Sequence, residues 1–84
     1  MIQLTYARAN VAGRVCRPGA TFLVCPEDIL FVDEEAIYDE NGSYDGTRRG
    51  SRLVIRNHMD AARPVVVYST ERPGEIAALI REHP

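Results

Sequence analysis

Only one stretch of this chain carries a helical period, and it comes last. Ile76, Leu79, Ile80 and His83 fall at i, i+3, i+4 and i+7, so residues 71–83 predict one helix with a single apolar face. A lone amphipathic helix needs another layer to bury that face against. Everything before it consists of short alternating runs broken by Pro, Gly and Asn. The pattern therefore predicts an α+β fold. It is a small, mainly antiparallel sheet of about four to six short strands, with one C-terminal amphipathic helix packed on it.

Ile2, Leu4 and Tyr6 alternate with Gln3, Thr5 and Ala7, which gives a first strand with one buried face. A turn follows from Asn10 to Gly13, then a short strand over 11–16 and a Pro18-Gly19 turn. Residues 20–25 read as an apolar strand that Pro26 ends, because proline lacks the backbone donor. Pro26 to Ile29 predicts one helical turn or a tight corner. The strand resumes at Leu30, and its alternation blurs through residues 33–40, which predicts a bulge or a break near Asp33–Glu35. Asn41-Gly42 and Asp45-Gly46 predict a long exposed loop over 41–50. Leu53 and Ile55 face one way in the next strand, with Val54 and the flanking arginines on the other. Residues 57–63 read as irregular or briefly helical. Val65, Val66, Val67 and Tyr68 predict an inner strand covered on both faces. Ser69 or Thr70 is expected to cap the helix, with Glu71 and Glu75 near its positive end and Pro73 in its first turn.

At 84 residues the chain has room for one domain, spanning 1–84, with a compact core. No apolar run approaches the roughly 20 residues that span a bilayer. The first residues alternate and form no signal-peptide core, so a cytoplasmic location is expected, without membrane contact. Cys16 and Cys25 are too few for a disulfide scaffold and read as buried thiols.

The charge is segregated. The formal net charge is only −2, and all ten basic residues are arginine. Residues 27–45 carry Glu27, Asp28, Asp33, Glu34, Glu35, Asp39, Glu40 and Asp45 with no base. Residues 48–63 carry Arg48, Arg49, Arg52, Arg56 and Arg63 against Asp60 alone. An antiparallel sheet with an acidic strand beside a basic one accounts for this, since opposite charges attract across strands. A two-signed binding surface accounts for it as well.

No catalytic or metal-binding pattern is present. Cys16, Cys25, His58 and His83 lack the close pairs of a zinc site. No flanking signature supports a Cys–His nucleophile. The Glu34-Glu35 and Asp39-Glu40 neighbours point to opposite faces of a strand and read as solvated acids. Gly42, Gly46 and Gly50 lack the Lys-Ser/Thr of a phosphate loop. No cofactor is expected. The strongest functional candidate is the loop itself, because Tyr44, Arg48 and Arg49 are residue types that dominate interface hot spots.

The order of features resembles the FlbD-type family of small flagellar and swarming-motility-associated proteins. The matching residues are Met1, Ile2, Leu4 and Thr5 in the first strand, then Pro26, Glu27 and Ile29 at the corner. Val32 and Asp33 follow, and after them the strand over 65–68, Ser69, Glu71, Glu75, Ile76 and Ile80. Cys25 stands where that family usually has Asn, and residues 8–18 and 40–50 are extra. The resemblance implies association with motility and no defined catalytic chemistry.

The function expected is that of a non-enzymatic protein–protein interaction module that binds a larger assembly or itself. Its surface would join Tyr44, Arg48, Arg49, Arg52 and Arg56 to Glu34 and Glu35 of the acidic strand. Two alternatives fit the same features. One is a phage or mobile-element protein that inhibits a host complex. The other is a single-stranded nucleic-acid binder working through the arginines of 48–63, which the acidic net charge disfavours.

Overall fold

A computed structural model describes residues 1–9, 18–39, 41–44 and 46–82. The turn expected at 10–13, the strand expected at 11–16, and Cys16, Glu40, Asp45 and His83 lie outside the described residues. The elements in order are β1 (Ile2–Thr5), β2 (Thr21–Val24), a 3-10 turn (Pro26–Asp28), β3 (Ile29–Ala36), β4 (Arg49–Ile55), β5 (Val65–Ser69) and α1 (Pro73–Glu82). They make two small antiparallel sheets and one C-terminal helix, the α+β class expected. No helix among the described residues is long and apolar enough to cross a membrane.

β1 and β2 pair with Ile2 opposite Val24 and Leu4 opposite Phe22. This register puts the buried residues of both strands on one face. Beyond Thr5, the chain runs along the far end of β5. Tyr6 bridges Ser69, Ala7 N–H donates to the Tyr68 carbonyl at 3.0 Å, and Thr70 N–H donates to the Thr5 carbonyl at 3.0 Å. These bonds join the two-stranded sheet to the three-stranded β3-β4-β5 sheet. Among the described residues, β5 is bonded along its length to β4 and at its end to Thr5 of β1 and the two residues that follow it. One face of it buries Val67 and Ser69, while Val66 and Tyr68 on the other are half-buried, so β5 is less enclosed than its apolar run suggests.

The expected corner forms as one turn, with Asp28 N–H donating to the Cys25 carbonyl at 2.9 Å. Cys25 itself is a free, half-buried thiol, less enclosed than expected. The bulge is not near Asp33–Glu35. Asp33, Glu34 and Glu35 pair regularly with Arg52, Ser51 and Gly50, and the register shifts instead between Ile29 and Phe31. The cause is the exit from the corner. Arg56 N–H donates to the Asp28 carbonyl at 2.7 Å and Ile29 packs inward opposite Ile55, so Leu30 becomes the extra residue. The blurred alternation has a different origin: Ala36 and Ile37 are both buried where the strand leaves the sheet.

The core gathers Ile2, Leu4, Val24, Leu53, Val67 and Ile76, with Leu79, Ile80, Val32 and Ile55 packed around them. Every strand and the helix contribute, and each fully buried large side chain stabilises by roughly 1.5–3 kcal/mol. The predicted helical face is thus the lid of the core.

The cap differs from expectation. Arg72 occupies the position before Pro73, and its carbonyl accepts the first helical bond, from Ile76 N–H at 3.0 Å. The Glu75 carboxylate reaches back to Arg72 N–H at 3.3 Å, as in half of a capping box. Neither Ser69 nor Thr70 caps the helix, because Pro73 fixes the helix start at itself and leaves both hydroxyls before the first turn.

Candidate binding surface

The segment between β3 and β4 is long, yet its backbone is bonded at several points. Ile37 N–H donates to the Arg48 carbonyl at 3.0 Å, and Tyr38 N–H donates to the Arg8 carbonyl at 2.8 Å. The Asp39 carboxylate then accepts from Asn41 N–H and Ser43 N–H, each at 2.9 Å. An aspartate that satisfies backbone donors two and four residues ahead fixes a tight turn without a strand partner. Gly42 completes it at φ 80°, a conformation that costs other residues a Cβ clash.

This turn places Tyr44 over Tyr38. Their ring centroids are 5.1 Å apart with planes tilted by 42°, a favourable edge-leaning geometry. The Arg8 guanidinium lies over the Tyr38 ring, 4.6 Å from its centroid, within cation–π range. Tyr44 remains 40% exposed. The loop tyrosine is therefore one layer of an Arg8–Tyr38–Tyr44 stack, which draws residues from two separate parts of the chain.

Two clefts open beside the stack. One of about 520 Å³ is lined by Tyr6, Arg8, Tyr38, Asp39, Gly42 and Arg48, among others. The second, of about 300 Å³, is lined by Thr47, Arg48, Arg49, Thr70, Arg72 and Glu75. Arg48 and Thr70 belong to both, so the clefts adjoin. Arg72 is committed to Glu34 at 2.6 Å. Arg48 and Arg49 are exposed and form no ion pair among the described residues. Among the described residues that line the two clefts, Arg8, Arg48, Arg49 and Arg72 outnumber Asp39 and Glu75.

A polar knot supports this face from below. Glu71 Oε1 accepts from the Thr5 backbone N–H at 2.8 Å and from the Ser69 hydroxyl at 2.6 Å. The Ser69 oxygen in turn accepts from Glu71 N–H at 3.1 Å. The Ser51 hydroxyl donates to the Glu71 carbonyl at 2.7 Å. Ser51 and Ser69 are fully buried, and such groups are tolerated inside because each is satisfied. Burial pushes the Glu71 carboxyl up, but the bonds from Ser69 and Thr5 outweigh it and hold the group below the usual carboxylate value.

The structure brings together only part of the expected surface. Tyr44, Arg48 and Arg49 lie on the loop face. Arg52 sits across from Asp33, with guanidinium and carboxylate 3.9 Å apart. Arg56 lies beyond the end of β4, opposite Asp28. Glu34 holds Arg72, and Glu35 stands opposite Gly50. The expected cross-strand attraction is present, and it draws Arg52 to Asp33 and away from the loop face, whereas Glu34 adjoins that face through Arg72, which lines the second cleft. Arg8, Tyr38 and Thr70 belong to the face without any sequence signal, because Arg8 meets Tyr38 across 30 residues of chain and Thr70 comes from the far end of β5. Glu71 did carry a signal, a carboxylate two residues after a serine, but that pattern also fits a helix start. His58 is paired with Asp28 at 3.0 Å. Among the described residues no three His, Cys, Asp or Glu side chains converge.

No protein-family model, curated protein or solved structure matches this chain, so the chemistry of the face itself carries the functional reading.

Proposed function

We propose that the protein is a non-enzymatic interaction module that docks a larger protein assembly through its loop face. The observation that carries this is the Arg8–Tyr38–Tyr44 stack beside Arg48 and Arg49, which pair with no acid among the described residues. Tyrosine and arginine supply much of the binding energy at protein interfaces, and a preformed surface loses less entropy on docking. The groups lining the clefts suit binding: hydroxyls, rings and guanidinia, with the Asp39 carboxylate already holding the turn. The resemblance to FlbD-type proteins extends the proposal to an assembly of the motility apparatus.

Single-stranded nucleic acid, bound along residues 48–63, is served less well by this arrangement. Arg52 and Arg63 already face Asp33 and Asp60, and β4 separates Arg48 from Arg56 by roughly 25 Å. A pulldown with the full chain tests the proposal. The wild type should retain a protein assembly that Tyr44→Ala combined with Arg48→Ala and Arg49→Ala releases. Equal retention by that triple variant sinks it. The identity of what is retained separates a motility assembly from a host complex blocked by a mobile-element inhibitor.

A further inference from the structure

Alternation gives the β3-β4-β5 sheet two faces of different character. Val32, Leu53 and Val67 turn toward the core. On the opposite face Phe31 stands beside Val54, and Asp33 stands beside Arg52 in the next row. The bulge adds Leu30 next to Phe31, and these two side chains are 51% and 54% exposed. Single apolar residues are scattered over most soluble surfaces, whereas neighbouring large ones mark an interaction site. The polar row is unfinished. Arg52 and Asp33 are 3.9 Å apart, with 34% and 45% of their side chains accessible, a distance too long for a hydrogen bond. Asp33 Oδ1 is itself buried and has no hydrogen-bond partner among the described residues, so Oδ2 is the carboxylate oxygen that the accessible side chain offers to a partner.

We propose that this face binds a second copy of the chain across a two-fold axis that lies between β3 and β4 and runs parallel to them. Such an axis lays β3 of one protomer over β4 of the other. Phe31 then meets the partner's Val54, and Asp33 meets the partner's Arg52, each contact being made twice. The charge pattern selects this occupant. One acid and one base side by side in a row are complementary to themselves under that rotation. A foreign protein would need a base and an acid at the same spacing. Parallel pairing of β3 edges is a poorer route to self-association, because it sets Asp33, Glu34 and Glu35 beside their own copies, and like charges in register repel. Five residues of β3 separate Phe31 from Ala36, roughly 17 Å, so the loop face stays free and the dimer presents two of them.

Light scattering on the full chain at about 100 µM, where micromolar complexes are populated, should report a dimer. Phe31→Glu, at an exposed position, should report a folded monomer by light scattering and circular dichroism. Asp33→Arg and Arg52→Asp should each weaken the dimer more than about tenfold when alone, since each places like charges across the axis. Mixed in equal amounts, these two should dimerise again. The arginine introduced in the first variant then faces the aspartate introduced in the second, and the native Arg52 of the first faces the native Asp33 of the second. A monomeric wild type overturns the proposal. So does a dimer that survives Phe31→Glu, or a mixture of the two folded charge variants that stays monomeric.

Discussion

The Glu71 carboxylate accepts a hydrogen bond from the Thr5 backbone N–H at 2.8 Å across 66 residues of sequence. The same oxygen accepts from the Ser69 hydroxyl, and the Glu71 carbonyl accepts from Ser51. One residue therefore ties β1, β4, β5 and the start of α1 together at the point where the two sheets join. Replacing Glu71 by Ala leaves the Thr5 N–H and the buried Ser69 hydroxyl without their acceptor. A loss of roughly 1.5–3 kcal/mol is expected, as for hydrogen bonds to a charged group, read from the urea midpoint. Glu71→Gln keeps an acceptor and should lose less.

That carboxylate also sets a pH dependence. Its folded pKa lies below the ordinary value of 4.5, so the unfolded chain binds the proton more tightly than the folded one. The stabilisation is complete above the unfolded value and is lost as pH falls through the folded value. Urea midpoints measured from neutral pH downward should fall below about pH 4.5 in the wild type. The part of that fall due to Glu71 should be missing in Glu71→Gln. Parallel curves for the two proteins would remove Glu71 as its source.

The two hydroxyls before the helix should differ sharply. Ser69 is fully buried and serves Glu71 as donor and acceptor, while Thr70 makes only a 3.4 Å contact with Oε2. Ser69→Ala is expected to cost about 1–3 kcal/mol and Thr70→Ala less than about 0.5 kcal/mol. Thermal melts of the two variants decide whether the hydroxyl serves the carboxylate or caps the helix, since a capping role for Thr70 would reverse their order.

Gly50 stands where β4 passes under Ile37. A Cβ there would run into the Ser69 carbonyl and would lie 2.9 Å from Ile37 Cδ1. The first obstacle is backbone, which cannot rotate away as a side chain can. Gly50→Ala should therefore cost at least about 2 kcal/mol, well beyond the effect of the same change at Gly74, where nothing lies within 4 Å. Comparing the two unfolding midpoints separates overpacking from loss of backbone freedom.

What was legible in the sequence was what local period dictates. Ile2 and Leu4 alternate, Pro26 ends a strand, and Ile76, Leu79 and Ile80 share a helical face; each lies where its spacing put it. The bulge was misplaced because two successive buried residues, Ala36 and Ile37, break an alternation just as an inserted residue does. The cap was misread because a serine two residues before a glutamate suits both a helix start and a carboxylate turn. Pro73 decided between them. The acid–base pairing of β3 with β4 was readable from charge runs, yet it also occupied residues expected to bind. The Arg8–Tyr38 contact had no local trace, because it depends on how β1 passes the loop.

Asp39 tests whether the loop face is built in advance. Its carboxylate accepts from Asn41 and Ser43, so Asp39→Ala removes the acceptors that fold the turn beneath Tyr44. Both bonds are exposed, and exposed hydrogen bonds contribute little net stability because water replaces the partner. The global unfolding midpoint should therefore shift by less than about 1 kcal/mol. Amide exchange at Asn41 and Ser43 should nevertheless accelerate, while Leu53 in the core keeps its protection. Docking to the proposed assembly should weaken in step, because Tyr44 would then be ordered only on binding. Unchanged exchange at Asn41 and Ser43 in this variant would show that the turn holds without the Asp39 carboxylate, through the Asp39–Ser43 and Gly42–Asp39 backbone bonds and the Tyr38–Tyr44 contact.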